Sequence, residues 1–166
     1  MTQIANRKTL RSPVSRYTDA EIATLEAARD LLRQHLIAQP IIASWTMLTD
    51  YLALMAVDER VEVFRVLYRD TKNRLISDET LGRGTIDHAP VYIREVMRRA
   101  LELDASAMIL CHNHPSGDPT PSRADIDQTK KIKAACKLLG LTLHDHVIVG
   151  FGRETDASSM KCLGHI

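Results

Sequence analysis

The sequence predicts an α/β fold in which a central mixed sheet is flanked by helices and preceded by a helical prefix. Short apolar runs typical of strands alternate along the chain with segments whose apolar residues recur at helical spacing. The chain has 166 residues, the length of one domain with its own core. Its hydrophobic content of 45% and charged content of 26% are typical of soluble globular proteins.

The chain divides into three predicted regions. Residues 1–17 carry four cationic side chains and no acidic one, so we expect a mobile basic arm whose charges are solvated. Residues 18–56 form the helical prefix, which we expect to pack on the rest of the chain. Residues 57–166 form the main domain, where strands and helices alternate.

Two helices are predicted in the prefix. Thr18 and Glu21 have the spacing of a capping box, which predicts a helix that begins there and ends before Pro40. A second apolar stripe at helical spacing follows Ser44 and predicts a short helix up to about residue 55.

The main domain is predicted as a hairpin followed by alternating helices and strands. In chain order the predicted elements are a strand over 61–68, a strand over 74–81, a helix over 90–103, a strand over 107–112, a helix over 122–139 and a strand over 142–149. The turn of the hairpin lies at residues 70–73, and the tail to residue 166 is predicted as a short strand and a loop.

The most informative stretch follows the strand over 107–112. His112 and His114 stand two residues apart at its end, so their side chains point to the same face. Asp125, in the first turn of the next helix, can fold back beside them. Two imidazoles and a carboxylate suit zinc, and three protein ligands leave a fourth position open for water, as catalytic zinc sites do.

Taken one at a time, these residues have ordinary explanations. A histidine can be a satisfied polar residue at a strand end, and Ser122 with Asp125 has the spacing of a capping box. The loop stiffened by Pro115, Pro119 and Pro121 could be a plain turn. Their combination in this order favours a pre-organised metal site.

The same stretch resembles the signature of the JAMM (JAB/MPN) zinc metallohydrolases. That signature is His-x-His-Pro and Ser-x-x-Asp with seven residues between the second histidine and the serine, as found here. Further segments resemble the bacterial RadC-type branch of that family, and together the resemblance covers roughly residues 45 to 155. These segments are residues 75–76, 84–87, 89–92, 94–96, 112–117 and 145–150. The resemblance implies a JAB/MPN metalloprotease-like fold and one zinc ion per chain, held by His112, His114 and Asp125.

Catalysis by zinc-activated water also requires a carboxylate that is not a ligand, to accept and return a proton. JAMM proteins take it from a strand upstream of the histidines, and Glu62 on the first strand matches that position; Glu59 and Glu79 are its rivals. The resemblance gives Ser122 a role in stabilising an oxyanion. From the residues alone Ser122 is a helix N-cap, and both roles stay open.

No catalytic or metal-binding role is predicted for the remaining histidine pair or for the cysteines. His144 and His146 repeat the His-x-His spacing without a nearby third ligand, so we expect them on a structural strand. The three cysteines are odd in number and lack CxxC spacing, which predicts reduced thiols in a cytoplasmic protein. Cys111 should point away from His112 into the core.

Three classes of function are compatible with the sequence. The first is a zinc-dependent peptidase or isopeptidase acting on a protein or peptide. The second is a DNA-processing or repair-associated protein, including a metal-dependent nuclease. The third is a non-catalytic interaction domain stabilised by zinc. The identity of the substrate and the oligomeric state stay open.

Charge favours the first class over the second. The net charge is +1, which gives no overall attraction to nucleic acid. No glycine precedes Gly82, so we expect no helix-hairpin-helix module of the kind that RadC-type proteins often carry. The lysines of the helix over 123–137 are explained by a solvated face or, less simply, by phosphate contacts. No segment has the length and apolarity of a membrane span, so no membrane partner is expected.

Overall fold

The computed structural model describes residues 17–36, 44–56, 61–84, 91–150 and 157–166. Within these ranges four helices and five strands follow one another. They are α1 (Asp19–Leu36), α2 (Trp45–Ala56), β1 (Val63–Arg69), β2 (Leu75–Arg83), α3 (Ile93–Glu102), β3 (Ala107–Asn113), α4 (Arg123–Leu138), β4 (Thr142–Val149) and β5 (Ala157–Ser159). The basic arm, except Tyr17, lies outside the described residues, as do Glu59 and Pro90.

The strands form one mixed sheet in the order β2-β1-β3-β4-β5. β1 pairs antiparallel with β2 and with β3, and β5 pairs antiparallel with β4. β3 and β4 run parallel, because the helix α4 connects them as a crossover. The predicted α/β class with a central mixed sheet is therefore confirmed.

Each face of the sheet carries its own apolar core. On one face, α3 and α4 cover the inward side chains of β1 and β3. The members of this first core include Phe64, Val66, Tyr68, Val96, Met97, Met108, Leu110, Ile132 and Cys136. On the other face, α2 contributes four apolar residues. The members of this second core include Leu48, Tyr51, Leu52, Met55, Leu67, Ile109, Cys111, Val147 and Val149.

The second face also contains a buried ion pair. Arg65 donates two hydrogen bonds to Asp78 on the neighbouring strand, with nitrogen–oxygen distances of 3.1 and 2.6 Å. Tyr51 of α2 donates its hydroxyl to the same carboxylate. Burial of an arginine is tolerated here because a carboxylate satisfies it, and the hydroxyl links α2 to the hairpin.

Local signals at the chain turns behave as predicted. Thr18 and Glu21 form the reciprocal capping box that begins α1. In the hairpin turn, the Asp70 carboxylate accepts the backbone N–H groups of Lys72 and Arg74 at 2.9 and 2.8 Å. The turn forms because an aspartate side chain can replace backbone acceptors at this position.

The boundaries of β4 are as predicted, and other element boundaries differ from the predictions by up to three residues. α3 begins at Ile93, where the sequence predicted a start at Pro90. β1 begins at Val63, so Glu62 lies immediately before the strand and not on it as predicted. None of the helices within the described ranges is both long and apolar enough to cross a bilayer.

Removing buried volume under α2 tests the second core. Leu52 is 0% exposed, so Leu52→Ala should leave a cavity and lower the free energy of unfolding by about 2–5 kcal/mol. Leu138→Ala is the control, because Leu138 is 86% exposed and its truncation should change stability by less than about 0.5 kcal/mol. Urea titration followed by circular dichroism measures both, and equal effects would contradict the placement of α2.

Candidate metal centre

Strand β3 and the loop after it bring two histidine rings together. His112 lies on β3 and is 1% exposed, while His114 follows the end of the strand and is partly exposed. The two Nε2 atoms are 2.9 Å apart. His114 Nδ1 lies 2.7 Å from the carbonyl oxygen of Asp118, which can only accept, so this ring carries its proton on Nδ1. The neutral ring therefore presents the lone pair of Nε2 to His112.

The loop returns to His114 through a tight turn. The N–H group of Gly117 donates to the carbonyl of His114 at 2.9 Å, and Gly117 has a φ of 87°, which favours glycine. Because the turn is closed in this way, the carbonyl of Asp118 reaches the His114 ring.

Helix α4 supplies the third group through its cap. Ser122 and Asp125 form a reciprocal capping box, in which Asp125 Oδ2 accepts the N–H and hydroxyl of Ser122 at 2.8 and 2.6 Å. Asp125 Oδ1 lies 3.3 Å from His112 Nε2, and Oδ2 lies 3.6 Å from His114 Nε2. The cap therefore fixes the carboxylate and turns it towards both rings.

The donor atoms of His112, His114 and Asp125 all lie within 4.8 Å of one another, and no other such group of three or more occurs in the described parts of the chain. Burial opposes ionisation of Asp125, but the adjacent rings of His112 and His114 hold the pKa of this carboxyl well below its usual range. The hydrogen bond to Asp125 raises the pKa of His114. Two ring nitrogens and a carboxylate that converge in this way stabilise a cation, and the set is chemically suited to zinc.

The cluster is buried on one side and open on the other. The side chain of His112 is 1% exposed, whereas those of His114 and Asp125 are 16% and 15% exposed. Solvent therefore reaches the group from the side of His114 and Asp125, where a fourth ligand could enter.

Glu62 is placed near this group by the pairing of β1 with β3. The antiparallel register joins Phe64 to His112, and continued by two residues it sets Glu62 opposite His114. The charge of Glu62 contributes to the raised pKa of His114, after the larger effect of Asp125. Glu62 is half-buried and its carbonyl accepts the N–H of Gly84 at 2.9 Å.

The backbone around Glu62 is held by Asn113, the residue between the two histidines. Asn113 Oδ1 accepts the N–H of Val63 at 2.9 Å, and Asn113 Nδ2 donates to the carbonyl of Val61 at 3.0 Å. Asn113 is 6% exposed. Asn113 was not among the residues predicted for the site, although its position between the two histidines was the available signal.

Of the two glutamates that rival Glu62 as general base, only Glu79 lies within the described residues. Glu79 lies on β2 and accepts a hydrogen bond from Ser77 at 2.8 Å. It also forms an ion pair with Arg99, whose Nε lies 2.8 Å from the carboxylate. Glu59 lies outside the described residues.

The second histidine pair lies on a strand, as expected, but is separated by a β-bulge. The register of β3 with β4 shifts between Met108 and Ile109, which leaves His144 as an extra residue in β4. His144 Nε2 instead contacts Asn73 Oδ1 at 3.0 Å. His146 is 1% exposed, and its Nε2 lies 2.9 Å from His112 Nδ1. Burial lowers the pKa of His146. Nothing in the sequence signals the bulge.

Comparison with known proteins agrees with this geometry. Two similar proteins, both named UPF0758 protein, come from Rhodobacter capsulatus and Ruegeria pomeroyi. The first is 56% identical over 128 residues, covering 77% of this chain and 60% of that protein. The second is 55% identical over 133 residues, covering 80% of this chain and 59% of that protein. The chain thus spans about three fifths of the length of these relatives.

A family model described as a RadC-like JAB domain matches residues 42–164, a range that includes α2, all five strands and the candidate metal centre. Since this match covers most of the sequence, the chain belongs to the family of RadC-like JAB-domain proteins.

Proposed function

We propose that this protein is a zinc-dependent hydrolase that cleaves an amide or isopeptide bond. The observation that carries the proposal is the convergence of two imidazole Nε2 atoms and a carboxylate, with solvent access on one side only. Open three-ligand sites of this kind are typical of catalytic zinc, whereas structural zinc is usually enclosed by four protein ligands.

His112, His114 and Asp125 would hold the ion, and zinc bound there would supply a Lewis acid and an acidified water. The protein residues supply the other functions. The capping box holds the Asp125 carboxylate in place, and the Asp118 carbonyl holds the His114 ring. Both contacts are made within the chain itself, which pre-organises the site for a substrate.

Glu62 is the proposed general base and acid. It would accept the proton of the attacking water and pass it to the nitrogen of the leaving amine. Two observations support it: its position opposite His114 in the continued register, and the two hydrogen bonds of Asn113 to the backbone on either side of it.

Ser122 is the proposed donor to the oxyanion of the tetrahedral intermediate. It is exposed beside Asp125 at the open side of the site. Its single hydroxyl proton is donated to Asp125 Oδ2 at 2.6 Å, so a role as oxyanion donor requires that proton to be redirected when substrate binds.

An amide substrate is favoured over DNA by electrostatics. Binding to duplex DNA requires clustered cations that neutralise several phosphates, whereas this chain has a net charge of +1. The lysines of α4 are exposed, as expected for a solvated helix face, and Arg123 forms an ion pair with Asp127 at 3.5 Å.

The metal is tested by removing one ligand. His114→Ala should abolish stoichiometric zinc binding, because two remaining ligands cannot complete the site. His144→Ala is the matched control, since that ring contacts Asn73 and lies outside the cluster. Metal analysis after dialysis against trace zinc checks both variants; full zinc occupancy in His114→Ala would refute the ligand set.

The general base is tested by a change that keeps shape and removes charge. Glu62→Gln should retain the fold and zinc but lower turnover by roughly a hundredfold or more, the scale of a lost general acid–base. Glu79→Gln should leave turnover unchanged, because Glu79 is paired with Arg99. Both are measured on zinc-loaded protein with peptide, isopeptide and DNA panels. Metal-dependent DNA cleavage that is lost in Glu62→Gln would contradict the proposed amide substrate and indicate a phosphodiester instead.

A further inference from the structure

His146 is a buried histidine that ligates nothing in the proposed centre and yet contacts a ligand. Its two ring nitrogens have different partners. Nε2 lies 2.9 Å from Nδ1 of His112, and Nδ1 lies 2.6 Å from the hydroxyl of Thr129 on α4. Thr129 is 0% exposed and His146 is 1% exposed, so water does not compete for these contacts.

The direction of these hydrogen bonds follows from the Thr129 hydroxyl. Thr129 Oγ1 lies 2.6 Å from the carbonyl oxygen of Asp125, one helical turn earlier. A carbonyl can only accept, so the single hydroxyl proton of Thr129 is donated to it. Thr129 Oγ1 must then accept from His146, which places a proton on His146 Nδ1.

The proton between the two rings is then also assigned. His112 Nδ1 and His146 Nε2, 2.9 Å apart, share one proton, because this contact lies away from the proposed ligand set, where a cation could separate two lone pairs, and two N–H groups would repel. If that proton were on His146 Nε2, His146 would carry both protons and a full charge at a site that is 1% exposed. It therefore belongs to His112 Nδ1, which donates to His146. The lone pair of His112 is left on Nε2, facing His114 and Asp125.

We propose that Thr129 and His146 form a positioning pair that fixes the tautomer and the orientation of His112 for metal binding. Phe64 supports the same geometry, because its ring packs edge-on against His146 at 5.7 Å and stacks on His112 at 6.4 Å between centroids. The inference rests on the proposed function only in that it needs the metal site; it needs no particular substrate. Outer partners of this kind typically change metal affinity or activity by about 10–100-fold.

Zinc affinity tests the positioning pair without any assay of hydrolysis. In competition with a chromophoric chelator, Thr129→Val should bind zinc about 10–100-fold more weakly, because it keeps the shape of the side chain but cannot accept from His146. Thr129→Ser keeps the hydroxyl and should restore most of the affinity. Unchanged affinity in Thr129→Val, or an equal loss in Thr129→Ser, would overturn the proposal; circular dichroism confirms that each variant is folded.

The tautomers themselves are measured on the wild-type protein. Histidine ¹⁵N correlation spectra of the metal-free protein at pH 8 should show His112 and His146 protonated on Nδ1. A His112 ring without a proton on Nδ1 would overturn the proposal even if Thr129→Val does not fold. A wild-type protein that binds no zinc would refute the proposed function instead, and the tautomers would still decide whether Thr129 and His146 orient His112.

Discussion

The closeness of the His112 and His114 rings is the constraint on which the rest of the site depends. Their Nε2 atoms are 2.9 Å apart, and lone pairs at that distance repel unless a cation or a proton lies beside them. Asp125 provides the negative charge that attracts such a cation, because the adjacent histidine rings hold the pKa of its carboxyl low despite its burial. The fold must therefore hold two imidazoles and a carboxylate in an arrangement that is unfavourable without a positive charge. His146 contacts the first ring, the Asp118 carbonyl contacts the second, and the Ser122 cap holds the carboxylate.

Those contacts come from elements that also stabilise the fold. The Ser122 and Asp125 capping box begins α4 and at the same time directs the carboxylate to the histidines. A substitution at Ser122 would therefore change helix stability and the position of a ligand together. Asn113 combines roles in a similar way, because its side chain closes the end of the β1–β3 pair and holds the backbone around Glu62.

The sequence was sufficient for the parts of the site that are specified locally. The pairing of His112 with His114, both capping boxes and the hairpin turn could be predicted because each depends on residues that are two to four positions apart. Strand alternation also predicted that Cys111 points to the opposite face of the sheet from His112, and Cys111 lies in the second core. In β4 the bulge at His144 interrupts strand alternation, and His146 contacts His112; the cause of the bulge lies in the pairing with β3. The Arg65–Asp78 pair and the contacts of Asn113 were missed because they join different strands.

The two histidines proposed as ligands also differ in whether nearby or distant residues of the chain orient their rings. His114 is held by the carbonyl of Asp118, four residues later in its own loop, so its orientation is a property of a short segment. His112 is held by His146, 34 residues away, and through it by Thr129 on the crossover helix. Its orientation exists only when β3, β4 and α4 are assembled. Metal binding by the proposed ligands would therefore be coupled to the parallel half of the sheet: an ion that requires both rings would stabilise the folded arrangement of these three elements, and loosening any of them would weaken the site.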